Sequence, residues 1–263
     1  MGLVEGTKKE PVYLADGVFV MKDNVAIEFG MPPCDSEQEW LDRLADSYKQ
    51  LEDFIPDNLR LRLTPSARFP EEELQTDEAC QFGCDPDFNA WSKRVNVPPR
   101  ATQTNFRSCG GHVHIGYVEG TTADYLLKYM GKVNTIRMMD GLVGVPSIIL
   151  DNTPESRDRR ELYGKAGCYR ETDYGVEYRT LSNFWLKNVH LQQWVYRATG
   201  DVVRNLDERY TESARWVGVR GKGIQSIINK GDVATAQVFL EREIIPFWTD
   251  ETLNAFKEAE RLV

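Results

Sequence analysis

The sequence predicts an α+β fold, because patterns typical of strands and of helices both occur along the chain. Residues 18–29 read as a β-hairpin, and Val113 and Ile115 alternate with His112 and His114 at the two-residue period of a strand within 105–117. Residues 36–54 and 123–142 carry apolar side chains at helical spacing, and the chain is mainly helical from about residue 186. We expect one domain, residues 1–263, with this helical part at its end.

The first hairpin follows a short strand at 12–14 and a turn at 15–17. Its own turn is expected at 22–24, and its second strand at 25–29. Glu28 points to the opposite face from Ile27 and Phe29 in that strand. An acid inside an apolar strand either faces solvent or is directed at a site.

Residues 36–54 are predicted to form a helix that begins with a capping box, Ser36 followed by Glu39. Leucines and arginines alternate over 58–63, which predicts a strand, and proline with three acids at 70–73 predicts the start of a helix. Residues 82–91 read as a loop that carries Asp85 and Asp87.

Two of the three histidines in the chain, His112 and His114, lie on the strand expected over 105–117. Successive side chains of a strand alternate between faces, so the two imidazoles should share a face, roughly 7 Å apart. Such a pair suits a metal, a phosphate, or both. The alternative is two structural histidines on a half-buried strand. The preceding glycines, Gly110 and Gly111, favour function because they let a ligand or another backbone approach closely.

A helix expected over 123–142, capped by Thr121 or Thr122, should pack on the sheet. Residues 157–170 then form a basic segment in an acidic chain, which is either a solvated loop or an anion site. Its cations are Arg157, Arg159, Arg160, Lys165 and Arg170. A strand at 175–181 follows, with Glu177 and Arg179 on one face.

The net charge of −9 argues against a general nucleic-acid surface. We see no run of about 18 apolar residues to span a membrane and no signal peptide, so we expect a cytoplasmic protein. The five cysteines lack paired metal spacing, which favours reduced thiols.

Three segments in this order, 110–116, 159–167 and 176–179, resemble the carboxylate–amine ligases of the glutamine synthetase and glutamate–cysteine ligase superfamily. The likeness is to a branch found largely in phages and prophages, and it extends over roughly residues 2–185. The resemblance implies a curved, mostly antiparallel sheet with helices packed on its outer face. It also implies that a carboxylate is phosphorylated by ATP and then attacked by an amine, in the bacterial host cytoplasm if the protein is phage-encoded.

The resemblance also implies site roles. Glu28, His114 and Glu177 would hold Mg²⁺, with Mn²⁺ as an alternative, and Glu177, Arg179 and Arg160 would act in catalysis. The nucleotide or its phosphates would be bound by a larger set, namely His112, Arg159, Arg160, Lys165, Arg170 and Arg179. The substrates would be a small-molecule or peptide carboxylate and an amine, neither of which the sequence identifies. The number of subunits is equally undetermined.

One feature departs from the family. Its members carry an early strand with one or two acidic ligands, which we do not find here. We therefore expect that the chain is shortened, that Asp85 and Asp87 replace those ligands, or that the metal site is incomplete. Incompleteness would leave a non-catalytic nucleotide- or ligand-binding relative. A cupin-like metal enzyme is a further alternative, because His112, His114 and Glu119 match half of a cupin motif, but only His190 remains to complete it.

Overall fold

The computed structural model describes residues 5–23, 25–74, 87–97 and 105–263. The chain divides into two compact units, each described here by itself. The first comprises residues 1–63, 67–84 and 99–107, and the second comprises 64–66, 85–98 and 108–263. Antiparallel strand pairs and packed helices occur together, so the predicted α+β class is confirmed. That the whole chain acts as one ligase domain stays a prediction.

The first unit contains a three-stranded antiparallel sheet in which the strands are joined in chain order. The strands are β1 (Val12–Tyr13), β2 (Phe19–Asp23) and β3 (Ala26–Gly30). Strands β2 and β3 are the predicted hairpin, and Met21 lies opposite Glu28 in their register. Asn24 in the expected turn lies outside the described residues.

Helix α1 (Glu37–Phe54) confirms the predicted capping box. The Ser36 hydroxyl accepts the Glu39 backbone N–H at 3.2 Å, and the Glu39 carboxylate accepts the N–H of the residue before the cap at 2.9 Å. The rings of Tyr48 on α1 and Phe29 on β3 have their centroids 6.0 Å apart. The helix therefore packs its apolar face on the hairpin.

The strand predicted over residues 58–63 is wrong, because the structure has no strand there. The alternation is nevertheless visible in burial: Leu59 and Leu61 are half-buried, whereas Arg60 and Arg62 are exposed. Alternation reports which side of an extended segment is covered. A strand also needs a neighbouring backbone to complete its hydrogen bonds, and the pattern does not supply one.

The chain crosses between the units within two short strands, β4 (Ser66–Arg68) and β7 (Phe106–Ser108), which pair with each other. A 3₁₀ turn at Glu71–Leu74 begins where the proline and the acids predicted a helix start. The continuation of that segment, including Cys80, Cys84 and Asp85, lies outside the described residues.

The second unit contains a five-stranded sheet. Its strands are β5 (Phe88–Asn89), β6 (Arg94–Val95), β8 (Val113–Gly116), β9 (Cys168–Thr172) and β10 (Gly175–Tyr178). They are joined in the order β6-β5-β9-β10-β8, and each neighbouring pair is antiparallel. The single strand predicted over 105–117 is therefore wrong, since it is divided into β7 and β8. The chain leaves β7 at Ser108 and makes a backbone contact with Leu181 through the Gly111 N–H, at 3.1 Å.

Helix α2 (Tyr129–Met139) continues through a π-turn at Asp140–Gly144 into α3 (Val145–Leu150). The predicted helix over 123–142 thus begins later and ends later, after a 3₁₀ turn at Ala123–Leu127. Neither threonine caps it. The Thr121 hydroxyl donates to the Val118 carbonyl and the Thr122 hydroxyl to the Asp207 carboxylate.

The segment Tyr129–Leu150 is long and apolar enough to cross a membrane by length and composition, contrary to the expectation from the sequence. Within the protein, 89% of its apolar window is buried. Val133, Ile136 and Leu142 are fully buried in it. It is therefore a core element of the second unit, packed between the sheet and the later helices.

The predicted helical end of the chain is confirmed. It consists of α5 (Val189–Lys230), α6 (Val233–Phe239) and α7 (Asp250–Glu260), and a shorter helix, α4 (Pro154–Leu162), precedes β9. Trp194 of α5 is fully buried and packs edge-on against Phe256 of α7, with ring centroids 5.9 Å apart. Gly231 ends α5 in the left-handed conformation that favours glycine.

Candidate functional site

Strand register places three polar side chains on one face of the second unit's sheet. On β10, Glu177 lies directly opposite His114 of β8 and directly opposite Arg170 of β9. Directly opposed residues of antiparallel strands project to the same face. Arg179, two residues beyond Glu177, lies on that face as well. The sequence predicted the pairs within each strand, and the sheet brings the pairs together.

Glu177 accepts contacts from three nitrogen-bearing side chains. Its Oε1 lies 2.9 Å from His112 Nδ1 and also contacts Arg179 Nη1, while its Oε2 lies 3.3 Å from Arg170 Nη1. The Glu177 side chain is only 6% exposed. A buried carboxylate with charged donors on both oxygens is strongly fixed in position. The contact with Glu177 requires the His112 N–H on Nδ1, whereas Arg179 Nη1, 3.3 Å from the same nitrogen, could donate to Nδ1 only in the other tautomer.

Asp87 completes the group of buried charges. Its Oδ1 lies 2.7 Å from Arg179 Nε, and both side chains are 9% exposed. Arg179 is thereby held between two carboxylates, Glu177 and Asp87. We call the group of His112, Glu177, Arg170, Arg179 and Asp87 the Glu177 cluster. The sequence analysis considered Asp87 only as a substitute metal ligand. In the structure its carboxylate pairs with Arg179 instead.

The cluster shifts the pKa values of its members. Burial, followed by the positive charge of Arg179, lowers the pKa of His112 to about 4, so the imidazole is neutral at pH 7. Burial by itself raises the pKa of Glu177, but the hydrogen bond from His112 and the nearby arginines outweigh it and lower that pKa. Glu177 is therefore ionised at neutral pH. Burial raises the pKa of Asp87, although the positive charge of Arg179 opposes this shift.

His114 lies at the edge of this face, on β8. Its Nδ1 lies 2.7 Å from the Tyr174 hydroxyl, and the two rings have centroids 6.2 Å apart. Tyr174 is in the turn between β9 and β10, and sequence reasoning did not select it. The expectation that His112 and His114 share one strand is wrong, since His112 precedes the first residue of β8. His112 reaches Glu177 nonetheless.

The glycines before His112 are explained by the chain's own packing. A Cβ at Gly110 would lie 2.3 Å from His112 Nε2, so only glycine leaves room for the imidazole. A Cβ at Gly111 would lie 2.6 Å from the Ser182 carbonyl oxygen and 2.4 Å from Trp185 Nε1, which donates to the Gly111 carbonyl at 3.0 Å. Close approach of backbone, one of the two expected reasons for these glycines, is observed at Gly111.

The basic segment divides into residues with different surroundings. Arg159 is buried, and its guanidinium donates to the carbonyl oxygens of Thr180 at 2.8 Å and Arg179 at 3.3 Å. Burial lowers its pKa to about 10. It therefore fixes the backbone that carries Arg179. Arg160 is buried against Gly231, where a Cβ would lie 3.1 Å from its Nη2, whereas Lys165 is exposed. Roles of these three in phosphate binding stay predictions.

A buried acid that the sequence reasoning missed lies on the opposite face of β10. Asp140, in the π-turn after α2, accepts hydrogen bonds from Trp91 Nε1 at 2.6 Å, the Tyr178 hydroxyl at 2.8 Å and the Thr180 hydroxyl at 3.2 Å. Burial raises its pKa to about 7 although these bonds oppose the shift. Its signal in the sequence is an acid between Met139 and a run of apolar residues. Asp140 joins the end of α2 to the sheet face that carries Tyr178.

The second unit brings two of the three predicted metal ligands together. His114 and Glu177 lie opposite each other in the second unit, whereas Glu28 lies on β3 in the first unit. The convergence of Glu28 with Glu177 therefore stays a prediction. Over residues 5–23, 25–74, 87–97 and 105–263, no group of three or more His, Cys, Asp or Glu could hold a metal ion. Asp85 lies outside those residues.

The cupin alternative receives no support from the third histidine. His190 lies at the start of α5, 3.6 Å from a Glu258 carboxylate oxygen on α7. A cupin would need this histidine late in a β-barrel. Among the described cysteines, Cys34 and Cys168 are free thiols.

Comparison with known proteins gives one match. Residues 93–209, less than half of the chain, match the model of a family described as phage phiEco32-like COOH.NH2 ligase-type 2. The matched range contains four of the five residues of the Glu177 cluster, and Asp87 precedes it. No curated protein and no solved structure matches the chain. The family's name describes a ligase that joins a carboxyl group to an amine.

Proposed function

We propose that this protein is an ATP-dependent carboxylate–amine ligase that forms an amide or peptide bond through an acyl phosphate. The observation that carries the proposal is the Glu177 cluster, in which two arginines and a neutral imidazole surround one ionised carboxylate on a single sheet face. Four of its residues lie within the range that matches a COOH.NH2 ligase family. Arginines in a partly enclosed site are suited to phosphoryl and carboxylate groups.

The two arginines of the cluster are suited to different tasks. Arg170 is 30% exposed and has a single contact to Glu177, at 3.3 Å, which leaves N–H donors for a ligand. Arg179 is 9% exposed and is held by Glu177 and Asp87. We infer that Arg170 contacts the phosphate or the substrate carboxylate directly. Arg179 supplies fixed positive charge beside it, at little reorganisation cost during the reaction.

The proposed reaction has two steps. A substrate carboxylate oxygen attacks the γ-phosphorus of ATP, the bond from that phosphorus to the bridging oxygen breaks, and ADP leaves. The amine nitrogen then attacks the acyl carbon, phosphate leaves with the bonding electrons, and the nitrogen loses a proton to solvent or to a base. Negative charge accumulates on phosphoryl oxygens in the first step, and the guanidinium of Arg170 stabilises it.

Magnesium remains part of the proposal because ATP-dependent transfer generally uses a metal to neutralise phosphate charge. Glu177 and His114 are suitable donors. We propose that a further ligand comes from Glu28 of the first unit or from Asp85, which lies outside the described residues. Arg160 and Lys165 remain proposed contributors to phosphate binding, Arg159 would contribute by holding the backbone of Arg179, and His112 would lie beside the nucleotide.

We further propose that the protein belongs to the glutamine synthetase and glutamate–cysteine ligase superfamily and acts on small-molecule or peptide carboxylates and amines in the cytoplasm. These points rest on the sequence resemblance. They lead to the same expectation for the chemistry, namely ADP formation that depends on a carboxylate.

A second candidate function is nucleotide or ligand binding without catalysis. It is favoured by one observation, that both carboxylate oxygens of Glu177 already contact arginine or histidine. A carboxylate engaged in this way is less available to a metal. If this second candidate is correct, the protein binds ATP through Arg170 but forms no acyl phosphate.

Hydroxylamine trapping distinguishes the two candidates. The wild-type protein is incubated with ATP, Mg²⁺ or Mn²⁺, hydroxylamine and a broad set of amino acids and peptides. The ligase should form a hydroxamate and an equivalent amount of ADP, because hydroxylamine replaces the amine in the second step. A matched sample without carboxylate measures simple ATP hydrolysis. If ATP binds in calorimetry but no acid yields a hydroxamate, the binding protein is the correct description.

A further inference from the structure

An open cavity lies in the helical part of the second unit, and its lining includes the exposed residues Asp124, Lys128, Met130 and Asp207. It has a volume of about 380 Å³ and is formed by the 3₁₀ turn Ala123–Leu127, the start of α2 and the middle of α5. Its size is that of a small-molecule site. The lining side chains used below are Asp124, Tyr125, Lys128, Met130, Asp207 and Tyr210.

This cavity is separate from the Glu177 cluster. Helix α2 covers the sheet face that carries Tyr178, as the hydrogen bond from Tyr178 to Asp140 at the end of α2 shows. Glu177 lies on the other face, because neighbouring residues of a strand alternate. The cavity therefore belongs to the helical layer and is independent of the proposed ligase site.

Helix α5 is irregular where it lines the cavity. Arg209, between Asp207 and Tyr210, has non-helical angles of φ −148° and ψ 54°. The Ser213 hydroxyl donates to the Asn205 carbonyl at 3.0 Å, from the far side of the interruption. The interruption changes the direction of the Tyr210 side chain relative to Asp207, compared with a regular helix.

The charges of the cavity leave one carboxylate for a ligand. Asp124 is engaged by Lys128, with Nζ 2.8 Å from Oδ2. Asp207 accepts a hydrogen bond from the Thr122 hydroxyl at 3.0 Å, but forms no ion pair with any residue in the part of the chain that the structure describes. A positively charged group could bind Asp207 without displacing a cation.

The tyrosines add a second acceptor and two aromatic faces. Tyr125 is 8% exposed, and its hydroxyl is within hydrogen-bonding reach of Asp207, whose charge adds to burial in raising the pKa of Tyr125. The rings of Tyr125 and Tyr210 have centroids 5.7 Å apart. The Tyr125 hydroxyl oxygen can still accept, so a donor that reaches it would add a hydrogen bond.

We propose that this cavity binds a primary alkylammonium group. An ammonium ion carries three donors, which can reach the Asp207 carboxylate and the Tyr125 hydroxyl, and aromatic faces attract cations. Met130 offers an apolar surface to the alkyl chain. A free diamine and a lysine side chain present the same chemistry, and the experiment below distinguishes them.

The test uses the full-length protein and isothermal titration calorimetry at pH 7.5. The probes are 1,4-diaminobutane, n-butylamine and Nα-acetyl-lysine amide, with n-butanol as the uncharged control. The amines should bind with dissociation constants on the order of 1 mM or lower, and n-butanol should not bind. Tighter binding of the diamine indicates a free polyamine ligand, and tighter binding of the lysine derivative indicates a side chain. Equal binding of butanol and butylamine would overturn the proposal.

Two variants test the assigned contacts. Asp207→Asn keeps the shape and the Thr122 hydrogen bond but removes the charge, and should weaken amine binding about fivefold or more. Glu208→Gln, the same change at the adjacent exposed position on α5, should leave it within twofold. Tyr125→Phe should also weaken binding, and it replaces Asp207→Asn if that variant does not fold. Amine affinity unchanged in the folded variants would refute the site, whatever the result of the hydroxamate assay.

Discussion

Arg179 and Asp87 form a buried ion pair, with Nε and Oδ1 2.7 Å apart, although Asp87 precedes β5 and Arg179 follows β10. The pair connects segments that adjoin β5 and β10, two strands that β9 separates in the sheet. The same arginine contacts Glu177. Asp87 is thus a positioning residue for the cluster.

Replacing Asp87 with alanine should strongly destabilise the protein. Arg179 would then be compensated by Glu177 alone, and breaking a buried pair from one side typically costs about 3–5 kcal/mol of unfolding free energy. Urea denaturation measures the loss. Asp173→Ala, at the exposed turn between β9 and β10, is the control and should change stability by less than about 0.5 kcal/mol. A loss below about 1 kcal/mol for Asp87→Ala would contradict the ion pair.

Replacing Glu177 with glutamine should lower hydroxamate formation by orders of magnitude, since electrostatic terms commonly supply several kcal/mol of transition-state stabilisation. The neutral amide keeps the shape but no longer neutralises Arg170 and Arg179, and it cannot serve as a charged metal ligand. The initial rate at saturating ATP is the measurement. Asp173→Asn is the matched charge control and should retain the wild-type rate. Equal rates for Glu177→Gln and wild type would exclude Glu177 from the reaction.

Arg170 and Arg159 should respond differently to truncation. Arg170→Ala should weaken ATP binding about tenfold or more, because it removes charge-assisted hydrogen bonds from a partly exposed donor. Arg159→Ala should instead lower thermal stability, since it leaves the Thr180 and Arg179 carbonyls without their donor in a buried place. Calorimetric titration and thermal unfolding of both variants separate the effects. The opposite result would make Arg159 the phosphate ligand.

Asp140 should impose a pH dependence on stability. Its pKa is raised from 3.8 to about 7 in the folded protein, so between these values the folded state binds more protons than the unfolded chain. This group's contribution to unfolding free energy therefore falls as pH rises through that window, by up to about 1.4 kcal/mol per pH unit.

The variant Asp140→Asn removes that titration. The difference in unfolding free energy between Asp140→Asn and wild type should move in favour of the variant from pH 5 to pH 7, then level off. Urea denaturation at four pH values in this range measures the difference. A difference independent of pH would show that Asp140 titrates as it does in the unfolded chain.

The sequence by itself determined the elements whose signals are local. The capping box of Ser36 and Glu39 fixed the start of α1, and apolar spacing located the helical end of the chain. Alternation placed Glu177 of β10 and Arg179, which directly follows that strand, on one face. These predictions succeeded because caps, turns and periodicity depend on neighbours within a few residues.

Only the tertiary structure decided which faces meet. The register of β8, β9 and β10 brought His114, Glu177 and Arg170 together, and an ion pair across the sheet added Asp87. The alternation at 58–63 matched the pattern of buried and exposed side chains, but the segment does not form a strand. Strand pairing needs a partner that the segment itself does not encode. Asp140 was missed for the same reason: an acid in an apolar helix is tolerated only when distant donors, here Trp91 and Tyr178, reach it. Long-range hydrogen bonding and charge compensation depend on residues far apart in the chain, and only the folded arrangement specifies them.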